Sequence, residues 1–355
     1  MMLFGFRAAA RRQVLPALLG LLLAHGVSAQ TVGNNSLKAL ASRPRLGKVL
    51  GADISFLPQL EAKGMKFSDK GVEKDAIQIL KDHHINYIRL RIFNNPAADS
   101  GYSPQKGFCD LPHTLAMAKR VHAAGLKLLL DFHYSDTWAD PQKQFKPQAW
   151  LALSGPALTQ AVHDYTKDVL LALQAQGTPP DMVQVGNEIN HGMLWPDANV
   201  QLSDSLARYE TLAKLAQAGS RAVREVNPKT LVMLHIALGG QALLSNTWLD
   251  RMLAQHVDFD VIGESYYPKW HGTIPDLQAN LTQLAKRYKQ DVVVVEYSER
   301  KREVNDAVFT LPGGKGKGSF IWEPLNTWEA VFDKQGRANE LLPLYDEISK
   351  KYTIQ

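Results

Sequence analysis

Two glutamates stand where short apolar runs end. Glu188 follows Met182–Val185 and the dipeptide Gly186-Asn187, and Glu296 follows four consecutive valines at 292–295. A carboxylate placed directly after a buried strand costs free energy unless a partner or a function holds it there. Two such groups facing one another suit the hydrolysis of a glycosidic bond. That reaction takes one carboxylic acid to protonate the leaving oxygen and a second carboxylate to attack or to activate water. The competing explanation is structural: either glutamate would be a buried ion-pair partner of Arg89 or Arg91.

The elements around them must set their separation. Apolar runs at 49–53, 87–91, 126–132, 182–186, 231–236, 261–265, 292–295 and 319–322 read as strands. Between and after them, residues 111–124, 157–176, 205–226, 243–256, 276–288 and 341–351 carry apolar positions at helical spacing. Strands that are apolar at nearly every position must be covered on both faces, and alternating helices cover them. Eight strand-helix units predict an α/β fold of the (β/α)8 TIM-barrel type, one catalytic domain over 47–355 behind a polar leader at 30–46. A doubly wound dinucleotide fold loses its main support, because no Gly-x-Gly-x-x-Gly follows the first strand. On such a barrel Glu188 and Glu296 end strands four and seven, opposite one another across the mouth.

Function in a barrel collects where strands end and loops begin. Those ends carry Asp53, then Arg89 and Arg91, then His133, Asp136 and Trp138, then Asn187 beside Glu188. His235, Tyr266, Tyr267, Trp270 and Trp322 complete the set around Glu296. Five of the seven tryptophans lie at or soon after strand ends. Indole faces match the flat C–H faces of sugar rings, so the group predicts a bed for a polysaccharide; the alternative is bulk for the core.

Composition limits the partners. Arg7, Arg11 and Arg12 precede an apolar run at 14–24 and Val27-Ser28-Ala29, the layout of a cleavable export signal over 1–29. The run is about half the ~20 residues of a membrane-spanning helix, so a secreted or periplasmic chain is expected. Without residues 1–29 the formal charge falls from +5 to +2, which gives no reason to expect a nucleic-acid partner. The clusters at 300–302 and 315–317 read as solvated loop, and a monomer is expected. Cys109 is the only cysteine, so no intramolecular disulfide forms, and no nucleophile signature surrounds it. The segment 313–319 fails as a phosphate loop and the eleven histidines contain no His-Glu-x-x-His, so no cofactor and no metal are expected.

Several of these stretches match a known pattern. Gly51-x-Asp53-x-Ser55, Arg89-Leu90-Arg91, the run from Asp131 to Pro141, Gly186-Asn187-Glu188, Ser265-Tyr266-Tyr267-Pro268 and Trp322-Glu323-Pro324 resemble glycoside hydrolase family 53, the endo-β-1,4-galactanases. The resemblance implies retaining cleavage of β-1,4-galactan, with Glu188 as acid/base and Glu296 as nucleophile. It places Arg89, Asn187 and Tyr266 or Tyr267 as supports for the nucleophile or the sugar 2-hydroxyl, and His133, His235 and Trp322 in substrate subsites. Another retaining endoglycanase of the same clan, or a sugar-binding barrel without activity, is the alternative. Burial and mutual repulsion are expected to raise the pKa of Glu188, while Arg89 keeps that of Glu296 low. Two departures from the family pattern, Glu264 and the continuation of Pro324 as Leu325-Asn326-Thr327, are expected to lie in the cleft.

Overall fold

Eight apolar runs become parallel strands that close on one another. The computed structural model describes residues 44–201 and 206–354. The export-signal reading of 1–29, the leader up to residue 43 and Ser205 lie outside the described residues. The strands are β1 (Val49–Asp53), β2 (Tyr87–Ile92), β3 (Lys127–Phe132), β4 (Met182–Val185), β5 (Leu231–Ile236), β6 (Val261–Tyr266), β7 (Asp291–Tyr297) and β8 (Gly316–Trp322). Each pairs in parallel with its sequence neighbours, and β1 pairs with both β2 and β8, so the barrel is closed. A helix packs after each strand: α1 (Ala76–Asp82), α2 (Leu111–Ala123), α3 (Gly155–Ala175), α4 (Leu206–Val226), α5 (Ala242–Ala254), α6 (Ile274–Arg287), α7 (Lys301–Phe309) and α8 (Leu344–Tyr352). None of the described helices is long and apolar enough to cross a membrane.

Side chains alternate between two cores, as strand geometry requires. Val49, Tyr87, Leu129, Met182, Leu231, Met233, Val261, Val293, Val295 and Phe320 fill the barrel interior. Leu50, Ile88, Leu130, Val183, Val232, Ile262, Val292, Val294 and Ile321 face the helices. The interior is packed hard: a Cβ at Gly51 would come 2.1 Å from the Phe320 ring. Above this plug the inward positions turn polar, which leaves the mouth for chemistry.

Alternation breaks on β7, and that break matters. On β7, Val294 pairs with Glu264, but the next residue of β6, Ser265, pairs with Glu296, so Val295 is an extra residue in the ladder. Such a bulge re-aims the side chain that follows it. Strict alternation from Val293 would send Glu296 toward the helices; the bulge returns it to the mouth.

Three sequence expectations are corrected. The cluster at 300–302 is not solvated loop: it opens α7, where the buried Lys301 donates to Ser298 O at 2.9 Å and pairs with Glu329 at 2.9 Å. Strand eight begins at Gly316 rather than 319, because two glycines that read as loop are required inside it. A Cβ at Gly316 would lie 1.6 Å from Val308 O, and one at Gly318 1.8 Å from Val49 O.

Glu264 is not in the cleft. It points outward from β6, fully buried, where its carboxylate accepts from Ser245 Oγ (2.8 Å), Asn280 Nδ2 (3.2 Å) and Leu238 N (3.1 Å). Leu325 is likewise buried rather than cleft-lining. Burial pushes the Glu264 carboxyl up to about 8, against the hydrogen bonds that favour its charge. A folded-state pKa above the unfolded one makes this carboxyl erode stability as pH rises from the usual carboxylate range to about 8, and no further. Glu264→Gln should therefore gain Tm relative to the parent chain between pH 5 and 8, with no further gain above. A Tm difference that stays flat across that range in calorimetry would refute the assignment.

Candidate active site

Arg89 is the hub of the mouth. It rises from β2 with 1% of its surface exposed, and its guanidinium touches three carboxylates and two amides. Nη1 donates to Asp53 Oδ2 and Glu296 Oε2 at 3.0 Å each. Nη2 donates to Asp131 Oδ2 at 2.9 Å and Asn187 Oδ1 at 2.8 Å, and Nε to Gln184 Oε1 at 3.2 Å. Burial alone would discharge the group, but Asp131, Glu296 and Asp53 together raise its pKa. Burial also works against ionisation of Asp131, yet Arg89 and His133 outweigh it and hold that carboxyl below the ordinary value. The competing structural explanation was thus half right: Glu296 is a partner of Arg89, and it is also a member of the site.

Glu188 sits in a sharp turn after β4. Its backbone is left-handed (φ 50°, ψ 50°), a conformation that costs a non-glycine residue about 1 kcal/mol. Gln144 offsets the strain: its buried amide donates to Asn187 O at 2.8 Å and Glu188 O at 3.4 Å. Asn187 Nδ2 donates to Ala139 O at 2.9 Å. Glu188 Oε1 accepts from Ser265 Oγ at 2.7 Å.

Tyr267, not Tyr266, supports Glu296. Its hydroxyl donates to Glu296 Oε1 at 2.8 Å, whereas Tyr266 faces the helices and donates to Gly272 O at 3.0 Å. Alternation from Val261 separates them: 261, 263 and 265 point inward, 262, 264 and 266 outward. Burial lifts the pKa of Glu188 well above the usual value, and the charge of Glu296 adds to it. Burial also lifts Glu296, so the expectation that Arg89 keeps it low fails in direction. Arg89 and Tyr267 hold the rise back, and both favour the charged form of Glu296.

Two hollows flank the pair. One of about 470 Å3 runs past Glu188 and Glu296 to Gln241, Leu244, Trp270 and Trp328. The other, about 160 Å3, is walled by Asp53, Arg89, His133, Trp138, Asn187 and Trp322. Trp138 packs edge-on to Phe56 and Phe93 and lies 4.4 Å from the Arg91 guanidinium. His133 holds Asp131 at 3.1 Å and accepts from Ala139 N. Asp136 is not in either hollow; its carboxylate accepts from Asn95 N and Gln148 N and ties loops together. His235 lies beneath the site on Ser265 and Asn187.

Sequence reasoning missed four residues. Asp131, Gln184, Ser265 and Gln144 all contact the site residues. Gln184 was legible, since it is the one polar residue of Met182–Val185, at an inward position. Gln144 was not, because it arrives from a loop. Glu188, His235 and Glu296 bring donor atoms within 4.8 Å of one another, a spacing a metal could use. Each already has a hydrogen-bond partner, Ser265, Gln184 and Arg89 respectively.

The model of glycosyl hydrolase family 53 matches residues 49–308. An uncharacterized protein of Niallia circulans is 40% identical over 312 residues, 78% of this chain and 83% of that one. The chain belongs to glycosyl hydrolase family 53. An endo-β-1,4-galactanase of Bacillus subtilis is 33% identical over 85% of this chain, which spans 66% of that relative's length. The family 53 catalytic domain of Ignisphaera aggregans superposes with a TM-score of 0.78 at 33% identity, covering 86% of this chain and 97% of that one. The chain is accordingly a glycoside hydrolase, and the matched span runs from β1 into α7.

Within this family 53 barrel, removing Arg89 leaves Asp53, Asp131 and Glu296 without their common counter-charge. Arg89→Met should lower unfolding free energy by about 3–5 kcal/mol, read by urea denaturation. A loss below about 1 kcal/mol, the level of an exposed pair, would show that the hub does not hold the mouth.

Proposed function

We propose that this glycoside hydrolase cleaves internal β-1,4-galactosyl bonds of galactan with retention, Glu188 serving as acid/base and Glu296 as nucleophile. The observation that carries the reading is a distance. Carboxylate oxygens of Glu188 and Glu296 approach within 4.8 Å, where retaining enzymes keep the two groups about 5–5.5 Å apart and inverting ones about 6.5–9.5 Å to admit a water.

The chemistry follows from the partners. With Glu188 protonated and Glu296 ionised, a Glu296 oxygen attacks the anomeric carbon while Glu188 gives its proton to the departing glycosidic oxygen. Arg89 and Tyr267 hold one oxygen each of Glu296, so its orientation is fixed before substrate arrives. In the second step Glu188 takes a proton from water, the resulting hydroxyl attacks the same carbon, and Glu296 leaves. Inversion twice gives net retention.

Endo action is supported by the two hollows, which extend from the carboxylate pair in both directions. Galactan is supported by the Bacillus subtilis relative named as an endo-β-1,4-galactanase. The export-signal layout of residues 1–29 supports an enzyme that meets its polysaccharide outside the cytoplasm, and we read it as acting as a monomer.

Reducing-end release should appear with galactan and be absent with mannan, xylan and β-glucan; release from one of those in place of galactan would overturn the substrate assignment. Glu296→Ala should lose turnover by roughly 10³-fold or more while still being retarded by galactan in affinity electrophoresis. Substantial residual activity would exclude Glu296 as nucleophile. The kcat/KM profile should be a bell with both limbs above the ordinary carboxylate range, the acid limb from Glu296 and the basic limb from Glu188. A basic limb near pH 4–5, the range of an unperturbed glutamate, would exclude Glu188 as the acid.

A further inference from the structure

Ser265 is the penultimate residue of β6, is fully buried, and lines neither hollow. Its hydroxyl oxygen lies 2.7 Å from Glu188 Oε1 and 2.7 Å from His235 Nε2. A serine has one proton to give, so the direction of this chain depends on which nitrogen of His235 carries hydrogen. The other nitrogen, Nδ1, is 3.0 Å from Gln184 Nε2 and 3.4 Å from the backbone N–H of Glu188. The Gln184 amide cannot be reversed, because its Oε1 accepts from Arg89 Nε. Asn187 Oδ1 lies 2.9 Å from Nδ1, but it already accepts from Arg89 Nη2 at 2.8 Å; of the two Gln184 Nε2 protons one goes to Asp131 Oδ1 at 2.6 Å, which leaves the other for Nδ1. Two donors aimed at Nδ1 require a lone pair there. The ring proton is then on Nε2, which donates to Ser265, and the serine proton points to Glu188 Oε1.

We propose that His235 and Ser265 are positioning residues that hold Glu188 Oε1 as a permanent hydrogen-bond acceptor, reserving Oε2 as the oxygen that gives and takes the catalytic proton. This rests on the acid/base role of Glu188 proposed above. Donation to Oε1 favours the carboxylate, so it opposes the burial and the Glu296 charge that push Glu188 upward. The second half-reaction needs that opposition, since Glu188 must lose its proton before it can act as base. Burial, and then the Arg89 charge, hold His235 well below its ordinary value, so the ring donates while neutral. Glu188 faces Glu296 from β7, Asp140 from the loop after β3, and Arg89 from β2. His235 faces Arg89, Asp131, His133 and, after β6, His271. None of these groups replaces the donor at Oε1.

The test is the pH profile of Ser265→Ala. The basic limb of kcat/KM should move up by about one unit, and kcat on an activated aryl β-galactoside, whose second step limits, should fall about tenfold or more. KM should stay within about twofold, because Ser265 does not touch the cleft. His235→Phe, which frees the serine hydroxyl to turn, should move the limb the same way by less. If Ser265→Ala does not fold, Ser265→Cys, a weaker donor, is read by the same profile. A folded variant whose limb stays put overturns the proposal; so does a limb moved downward, which would mean that Ser265 accepts from protonated Glu188. Azide rescue of Glu188→Ala separates the two levels. No rescue removes the acid/base role itself, whereas rescue with an unmoved limb in Ser265→Ala removes only the relay.

Discussion

Everything at the barrel mouth depends on one buried positive charge. Arg89 lies at the centre of a ring of three carboxylates, Asp53, Asp131 and Glu296, and is the one cation that all three share. A guanidinium suits this place because its donors fan out in a plane and its charge is never lost. Five side chains from β1, β3, β4 and β7 are fixed by its five N–H directions. A lysine would bring the same charge and only one point of attachment.

A second cation extends the pattern. Arg91, two residues along β2, pairs with Glu323 at 2.7 Å and lies 4.5 Å from the Phe56 ring and 4.4 Å from Trp138. The small hollow therefore has a floor of paired charge and a wall of aromatics packed edge to face. The larger hollow has exposed indoles, Trp270 and Trp328, and few ionised groups deep within it. This asymmetry leaves the two glutamates in unequal fields: Glu296 against Arg89 and Tyr267, Glu188 against burial, Glu296 and one serine. In the proposed mechanism, it is these unequal fields that divide two identical carboxyls into an acid and a nucleophile.

The positions of most site residues were legible because a strand end is a sequence event. An apolar run stops, and a polar or aromatic residue follows. Glu188, Glu296, His133, His235 and Trp322 announce themselves in that way, and Arg89 as a charge inside an apolar strand. Simple alternation would also have read Glu264 and Tyr266 as outward-facing and Tyr267 as the partner of Glu296. Asp136 and Gln144 were beyond such reasoning, because a loop residue's destination depends on the path of the loop.

The sequence by itself determined the strand-helix barrel, the two glutamates and the cation on β2, since hydrophobic periodicity and residue type are local properties of the chain. Tertiary structure decided what those residues became. The bulge at Val295 turns Glu296 into the mouth, a matter of register between β6 and β7 that no single strand contains. The unequal pull on Glu188 and Glu296, and the direction in which Glu264 perturbs stability, come from burial and from neighbours that other elements bring alongside. Desolvation and Coulomb energy depend on distance in space, and only the folded chain supplies that distance.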